Sequence, residues 1–279
     1  MSRGTADVTM SRNGRLVLLA CFGAFLVFLY LPTVMLTLFS FNNSTIVAFP
    51  FAGFTTDWYA AAFQNEEIRK AFWASIRVAG GTAIVATAIA VFVSYAIARR
   101  RLRFKAFLSA LVLLPLVVPT VVLGIALLIL FRPNGPVIPI PLGLWAVLIG
   151  HVVFALPFCL LLLLPRIASI DRRIEEAAFD LGASWFTTFR RIILPLITPA
   201  LISALLIAFI VSIDEVVIAS FLVTDQVTYP VYLYSGLRIS GQTMLLMPIA
   251  TVMIVASFLV VALAEFIRRY GERRLGVAK

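Results

Sequence analysis

The sequence predicts an all-α, polytopic membrane protein with six transmembrane helices, both termini in the cytoplasm and a cytoplasmic helix pair between spans four and five. Three observations support this fold class: the composition, six long apolar segments and the uneven placement of basic residues. The 279 residues are 62% hydrophobic and 13% charged, whereas a soluble domain has about 45–50% apolar and about 25% charged residues. Together with the mean hydropathy of +1.06, this excludes a water-soluble globule.

Six segments are long enough to cross a bilayer. A helix needs about 20 apolar residues to span the hydrocarbon core. The segments lie at about residues 16–41, 72–98, 107–131, 144–164, 200–223 and 245–267, and we expect one membrane domain over residues 1–279. The first is longer than the apolar region of about 7–15 residues in a signal peptide, so we interpret it as an uncleaved helix.

The basic residues orient the spans, because cytoplasmic loops carry an excess of Lys and Arg. The N-terminus, the loops after spans two and four and the C-terminal tail together hold 18 of the 23 basic residues. These residues are Arg3, Arg12, Arg15, Arg99, Arg100, Arg101, Arg103, Lys105, Arg166, Arg172, Arg173, Arg190, Arg191, Arg268, Arg269, Arg273, Arg274 and Lys279. Both termini are therefore predicted to lie in the cytoplasm.

Cysteine and histidine usage argues against several classes of site. Cys21 and Cys159 lie within apolar segments, which makes a disulfide scaffold or a thiolate metal site improbable. His151 is the only histidine, so no His-based metal site is expected, and we interpret it as a polar residue at a contact between membrane helices. The net charge is +10, but the chain has too little polar surface for a nucleic-acid partner.

Two local features modify the simple six-span pattern. Pro115 and Pro119 interrupt backbone hydrogen bonding within span three, and such a helix is expected to be central in the bundle. The segment after span one contains Trp58 and Tyr59, near the start of a short amphipathic helix capped at Thr56 or Asp57. These two aromatic residues suit either an interfacial belt or an outer mouth that touches substrate or a docking partner.

The loop between Pro165 and Pro199 contains a predicted helix pair. Apolar residues recur at helical spacing between Ile170 and Leu181, with Asp171 as the expected N-cap and Gly182 as the stop. A second helix is expected from Ser184. A helix resting on the membrane surface is one interpretation, but the acidic residues of the loop favour a docking element for a soluble partner, over residues 170–198.

The same loop carries a recognisable signature. Glu176-Ala-Ala-Phe-Asp-Leu-Gly182, then nine residues, then Ile192-Ile-Leu-Pro195 resembles the Glu-Ala-Ala-x3-Gly-x9-Ile-x-Leu-Pro motif of ATP-binding-cassette importer permeases at every fixed position. The resemblance implies that this pair is the coupling helices, which sit in a groove of the ATPase subunit. It implies docking contacts from Glu176, Ala177, Ala178 and Gly182, and a supporting role for Ile192, Leu194 and Pro195.

Further segments are similar to one subfamily. Ser40-Phe-Asn42, Phe54-Thr-Thr-Asp-Trp-Tyr59 and Ser212-Ile-Asp-Glu-Val-Val-Ile-Ala-Ser-Phe221 resemble the second permease subunit of spermidine/putrescine importers. This resemblance implies polyamine transport across a bacterial inner membrane. Importers of iron, opines, aminoethylphosphonate and other small solutes share parts of the pattern and remain alternatives.

The chain has no ATPase motif of its own. It lacks a Gly-x4-Gly-Lys-Ser/Thr phosphate loop, so we expect a transport subunit without enzymatic activity or a cofactor. The resemblance implies that ATP and Mg²⁺ are bound by a partner ATPase present in two copies. It also implies a second permease, most simply a different chain, and a substrate-binding protein that is periplasmic or lipid-anchored.

Asp214 and Glu215 are two adjacent carboxylates inside span five. A charge at the bilayer centre costs about 2.5–3.5 kcal/mol on insertion scales, so such residues face protein or a watery path. One alternative is pairing with backbone groups or an arginine. The other is that they attract a cationic substrate whose ammonium groups need acceptors once they lose water.

Two other functions are weaker interpretations. In an ion-coupled secondary carrier Asp214 and Glu215 would relay protons, and uptake would survive ATP depletion. An intramembrane enzyme is disfavoured because no metal-ligand spacing and no nucleophile–base pair is evident.

Overall fold

The computed structural model describes residues 12–100, 103–132, 140–239 and 242–274, with side chains described as far as residue 267. Of the basic residues that orient the spans, Arg3, Arg101 and Lys279 lie outside the described residues. The side chains of the four arginines between residues 268 and 274 do so as well.

Within the described residues the chain forms α-helices and no strands. The helices are α1 (Arg12–Phe39), α2 (Asp57–Gln64), α3 (Glu66–Arg99), α4 (Lys105–Leu113), α5 (Thr120–Phe131), α6 (Leu144–Ala168), α7 (Arg172–Asp180), α8 (Trp185–Thr188), α9 (Leu194–Ile213), α10 (Val217–Leu222), α11 (Tyr229–Gly236) and α12 (Thr243–Arg274). Five continuous helical segments are long and apolar enough to cross a membrane, or six if one bent pair is counted as a span. The all-α membrane fold is confirmed.

Span three is the bent pair. Helix α4 continues into a 3₁₀ turn, Leu114–Leu116, and the axis then turns by 105° into α5. Pro115 and Pro119 explain the break, because proline lacks a backbone N–H and disfavours helical conformation in the residue before it. The expectation of a central helix holds for only half of the span: α4 has no buried residue, whereas Gly124, Leu127 and Phe131 of α5 are buried and α5 packs on α10.

Span five also differs from the predicted continuous helix over residues 200–223. Helix α9 ends at Ile213, and a new helix, α10, starts at Val217. In the other direction the helix continues from Trp185 through a π-helical turn, Phe189–Ile193, into α9. The π turn ends two residues before Pro195, whose ring and missing N–H disrupt the usual bonding to the preceding turn. The second helix of the predicted pair is therefore continuous with span five.

The core of the bundle is built from α3, α6 and α9. Small residues line their contacts, and Ala86, Ala155 and Ala204 are fully buried there. Small side chains let membrane helices approach closely, which compensates for the absence of a hydrophobic driving force between helices in lipid. Helix α12 packs on α9, whereas α1 is exposed along most of its length, with only Phe39 buried.

The two ends of α3 define the two ends of the bundle. At 34 residues, α3 is about 50 Å long. Its first turns contact Tyr229 and Leu246, near the segment that contains Trp58. Its last residue, Arg99, contacts the start of α7. We name these the Trp58 end and the Arg99 end; the predicted cytoplasmic loops adjoin the Arg99 end.

Candidate functional site

Helices α7 and α8 form a compact pair at the Arg99 end, joined by a tight turn. Asp171 caps α7 as predicted, since its side chain accepts a hydrogen bond from Arg173 N at 2.9 Å. At the other end Gly182 adopts φ +80°. Gly182 N bonds to Phe179 O and Ala183 N to Ala178 O, both at 2.9 Å, which is a Schellman motif. The predicted stop at Gly182 is confirmed.

The motif residues fall into two groups. Glu176, Ala177 and Gly182 are exposed on the surface of the pair, whereas Ala178 is buried beneath them. The remaining three residues lie where the helix leaves the pair: Ile192 and Leu194 are half-buried, and Pro195 is exposed. The structure thus brings the first group together on one small surface and places the second at the π turn.

Large apolar side chains surround this surface. The exposed ones are Ile174, Phe179, Leu181, Trp185 and Phe186. The predicted apolar stripe splits, because Ile170 and Ala178 face the bundle while Leu181 is 89% exposed. Several exposed apolar side chains on one short helix pair are typical of an interaction site; we call them the apolar patch.

Sequence reasoning missed a buried ionic contact beneath the patch. Glu175 lies in the first turn of α7, yet its side chain is 8% exposed and contacts Arg99. Tyr95 Oη also donates a hydrogen bond to Glu175 Oε2 at 2.7 Å. One sequence feature could have indicated this contact. Tyr95 and Arg99 are four residues apart near the end of α3, so they lie on the same face of that helix.

The second candidate site is the break in span five. The carboxylate of Glu215 accepts backbone hydrogen bonds from Val217, Ile218 and Ala219 at 3.2, 2.8 and 3.3 Å. It therefore satisfies N–H groups at the start of α10, which have no partner within the helix. Glu215 is buried and the neighbouring Asp214 is exposed. The two carboxylates thus have different surroundings.

His151 joins the same site from α6. Its Nδ1 lies 2.8 Å from Ser212 Oγ and its Nε2 lies 3.7 Å from Glu215 Oε2. The side chain is 1% exposed. The interpretation of His151 as a polar residue at a contact between membrane helices is confirmed. Among the described residues, no group of three or more His, Cys, Asp or Glu side chains is placed to hold a metal ion.

Trp58 and Tyr59 lie at the Trp58 end of the bundle, opposite the α7–α8 pair. Trp58 Nε1 donates to Asn42 O at 3.0 Å, and Tyr59 Oη lies 2.8 Å from Ser40 Oγ. Tyr59 also stacks on Phe41, with ring centroids 4.9 Å apart. Both side chains are half-buried and fasten the segment that follows α1. Their hydrogen bonds are made within this segment, and Trp58 also packs against the cluster of Phe39, Met244 and Met247.

Known proteins are similar to this chain in sequence over most of its length. The spermidine/putrescine transport system permease protein PotC of Escherichia coli (strain K12) is 35% identical over 257 residues, which cover 92% of this chain and 95% of PotC. The protein of the same name in Haemophilus influenzae is 36% identical, covering 87% and 92%. The putrescine transport system permease protein PotI of Escherichia coli (strain K12) is 35% identical, covering 76% of each chain.

Solved structures confirm the fold. A crystal structure of a bacterial ABC transporter involved in the import of the acidic polysaccharide alginate matches with a TM-score of 0.71 at 17% identity, over 93% of this chain and 94% of that one. An inward-facing structure of the MetNI methionine ABC transporter matches with a TM-score of 0.59 at 16% identity, over 74% and 95%. The family model described as "Binding-protein-dependent transport system inner membrane component" matches residues 86–277. The chain therefore belongs to the family of inner membrane components of binding-protein-dependent transport systems.

Proposed function

We propose that this chain is a permease subunit of an ATP-driven polyamine importer. The observation that carries the proposal is the exposed α7–α8 surface, which bears the Glu176–Gly182 motif in a chain 35% identical to a spermidine/putrescine permease. The chain itself is not an enzyme. ATP and Mg²⁺ are held by two copies of a partner ATPase, and a substrate-binding protein delivers the solute to the Trp58 end.

The α7–α8 surface is the part that docks on the ATPase. Glu176, Ala177 and Gly182 are exposed there, and the side chain of Leu181 is almost fully exposed. Insertion of these apolar side chains into a groove of the partner is favourable, because association removes apolar surface from water. Ala178 supports the surface from beneath, while Ile192, Leu194 and Pro195 shape the helix that returns to the bundle.

Asp214 is the carboxylate that meets the substrate. An ammonium group that has lost water needs a charged or polar acceptor. Glu215 is buried and already accepts three backbone hydrogen bonds, whereas Asp214 lies exposed at the same break. Trp58 and Tyr59 hold the segment at the outer mouth in place. A second permease chain closes the pathway around these residues.

The test is ATP hydrolysis by the complete complex in lipid nanodiscs. The complex of this chain, its partner permease, the ATPase and the binding protein is supplied with putrescine, spermidine or a neutral sugar. We expect hydrolysis to rise with the two polyamines and not with the sugar. Stimulation by none of the three, with the ATPase still bound, would retain the importer and exclude the polyamine substrate.

A variant addresses the docking surface separately. Leu181→Asp introduces a charge into the apolar patch without disturbing a buried contact, since Leu181 is 89% exposed. We expect the ATPase to be lost from the purified complex while membrane insertion is unchanged. Full retention of the ATPase would contradict the docking assignment.

A further inference from the structure

Glu175 is a buried residue of α7 next to the docking surface. Glu175 Oε1 and Arg99 Nε are 2.5 Å apart, and both side chains are 8% exposed. The two atoms meet as opposite charges, without the directional geometry of a hydrogen bond. The neighbouring Glu176 is exposed. The two adjacent glutamates thus point to different partners, one inward and one outward.

Backbone groups reinforce this contact from both sides. Arg99 Nη2 donates to Ile170 O at 2.9 Å, just before α7. In return, Arg172 Nη2 donates to Ala98 O at 3.0 Å and to Arg99 O at 2.8 Å. The last carbonyls of a helix have no partner within it, so Arg172 satisfies groups at the end of α3. Arg99 thus bonds the chain just before α7, and Arg172 of α7 bonds the end of α3.

Tyr95 extends the contact to the second helix of the pair. Its hydroxyl donates to Glu175 Oε2 at 2.7 Å. Its ring meets Trp185 and Phe189 edge-on, with centroids 5.9 and 5.7 Å away, and those two rings stack on each other at 5.5 Å. One side chain of α3 thus touches α7, α8 and the π turn.

We propose that Glu175, with Arg99 and Tyr95, is the positioning residue that transmits movement of the α7–α8 pair to α3. The inference rests on the proposed coupling function. The pair is joined covalently to α6 and α9, whereas its contacts with α3 are hydrogen bonds, an ion pair and ring contacts. Because α3 packs against both α6 and α9 and extends to the Trp58 end, a rigid contact here moves the whole core with the pair.

A buried ion pair suits this role. Separating its partners leaves an uncompensated buried charge, so the contact resists being pulled apart or slid. An exposed ion pair contributes little and yields easily. The Glu175 contact is therefore expected to hold while the docking surface is pushed or pulled by its partner.

The experiment compares three variants of the full complex in proteoliposomes. Glu175→Gln removes the buried charge, and Tyr95→Phe removes only one hydrogen bond while keeping the ring contacts. Glu67→Gln is the matched control, since Glu67 pairs with Lys70 at 3.4 Å on an exposed surface at the other end of α3. Two quantities are measured: the ATPase retained per complex, and the labelled putrescine transported per ATP hydrolysed.

We expect Glu175→Gln to retain the ATPase but to lower putrescine transported per ATP by about two- to thirtyfold, the range of mutations that disturb coupling between sites. Tyr95→Phe lowers it less and in the same direction, and Glu67→Gln leaves it unchanged. Unchanged transport per ATP in both Glu175→Gln and Tyr95→Phe would overturn the inference.

The experiment also decides the inference if the Glu175→Gln complex does not assemble. If Glu175→Gln fails to assemble, a lowered ratio in Tyr95→Phe supports the inference and an unchanged ratio overturns it, leaving a purely structural contact. Failure of the proposed function is distinct from either result. In that case the unmutated complex itself retains no ATPase or transports no putrescine.

Discussion

His151 Nδ1 lies 2.8 Å from Ser212 Oγ, and this buried contact joins the first third of α6 to the last turn of α9. The helix breaks two residues later, at Asp214. On its other side the imidazole faces Glu215, whose carboxylate caps α10. One side chain of α6 thus contacts both margins of the break, so α6 holds the two helices in their relative positions.

Removing the serine hydroxyl is expected to weaken this junction. Ser212→Ala leaves the buried His151 nitrogen without its partner, and polar contacts between membrane helices contribute about 0.5–2 kcal/mol. Denaturation in mixed micelles with increasing SDS should show a loss of stability of that size. Ser220→Ala is the matched control, because Ser220 is exposed and bonds only within its own helix. Equal stability of the two variants would contradict the role of the His151 contact.

The two carboxylates of span five are expected to respond differently to substitution. Glu215→Ala removes the carboxylate that accepts the first N–H groups of α10 and should destabilise the protein by about 0.5–2 kcal/mol, the range for loss of a capping side chain. Asp214→Asn should leave stability unchanged and raise the polyamine concentration for half-maximal uptake about tenfold, because a charge-assisted hydrogen bond is lost. SDS denaturation and labelled-putrescine uptake measure the two effects. A reversed pattern would assign the substrate contact to Glu215.

Substitutions of Gly182 are expected to impair transport because of the backbone conformation at this position. Its φ of +80° costs a residue with a side chain about 1–2 kcal/mol, although no atom lies within 4 Å of an added Cβ. Gly182→Arg should therefore abolish transport and leave membrane insertion intact. Gly182→Asn should retain more transport, because asparagine tolerates the left-handed region. Uptake in whole cells, with permease levels determined by immunoblot, distinguishes them; normal uptake by Gly182→Arg would exclude this turn from coupling.

The predicted orientation has a direct test. Arg173 is exposed in α7, and Thr45 is exposed in the segment after α1. In a chain with the exposed Cys21 changed to alanine, we expect a membrane-impermeant maleimide to label Thr45→Cys in intact spheroplasts. Arg173→Cys should react only after permeabilisation. Labelling of Arg173→Cys in sealed spheroplasts would reverse the assigned topology.

Much of the fold followed from local patterns in the chain. The positions of the apolar segments predicted the long helices, because the length needed to cross a bilayer is set by its thickness. Asp171, Gly182 and Ser184 marked the bounds of α7 and α8, since helix caps depend on side chains within a few residues of the helix end. The breaks within spans three and five were harder to predict from the sequence. Prolines indicated the one in span three, whereas residues 200–223 contain no proline or glycine, and the two carboxylates of span five did not by themselves predict a helix break.

What the sequence by itself determined is the membrane class, the family motif and the existence of the helix pair, because each depends on neighbouring residues. Only the tertiary structure decided which of two adjacent acidic residues is buried. Glu175 meets Tyr95, which is 80 residues away in the chain, and His151 meets Ser212 at a separation of 61. The partner of a side chain depends on how each helix is rotated about its axis. That rotation is set by packing across the whole bundle.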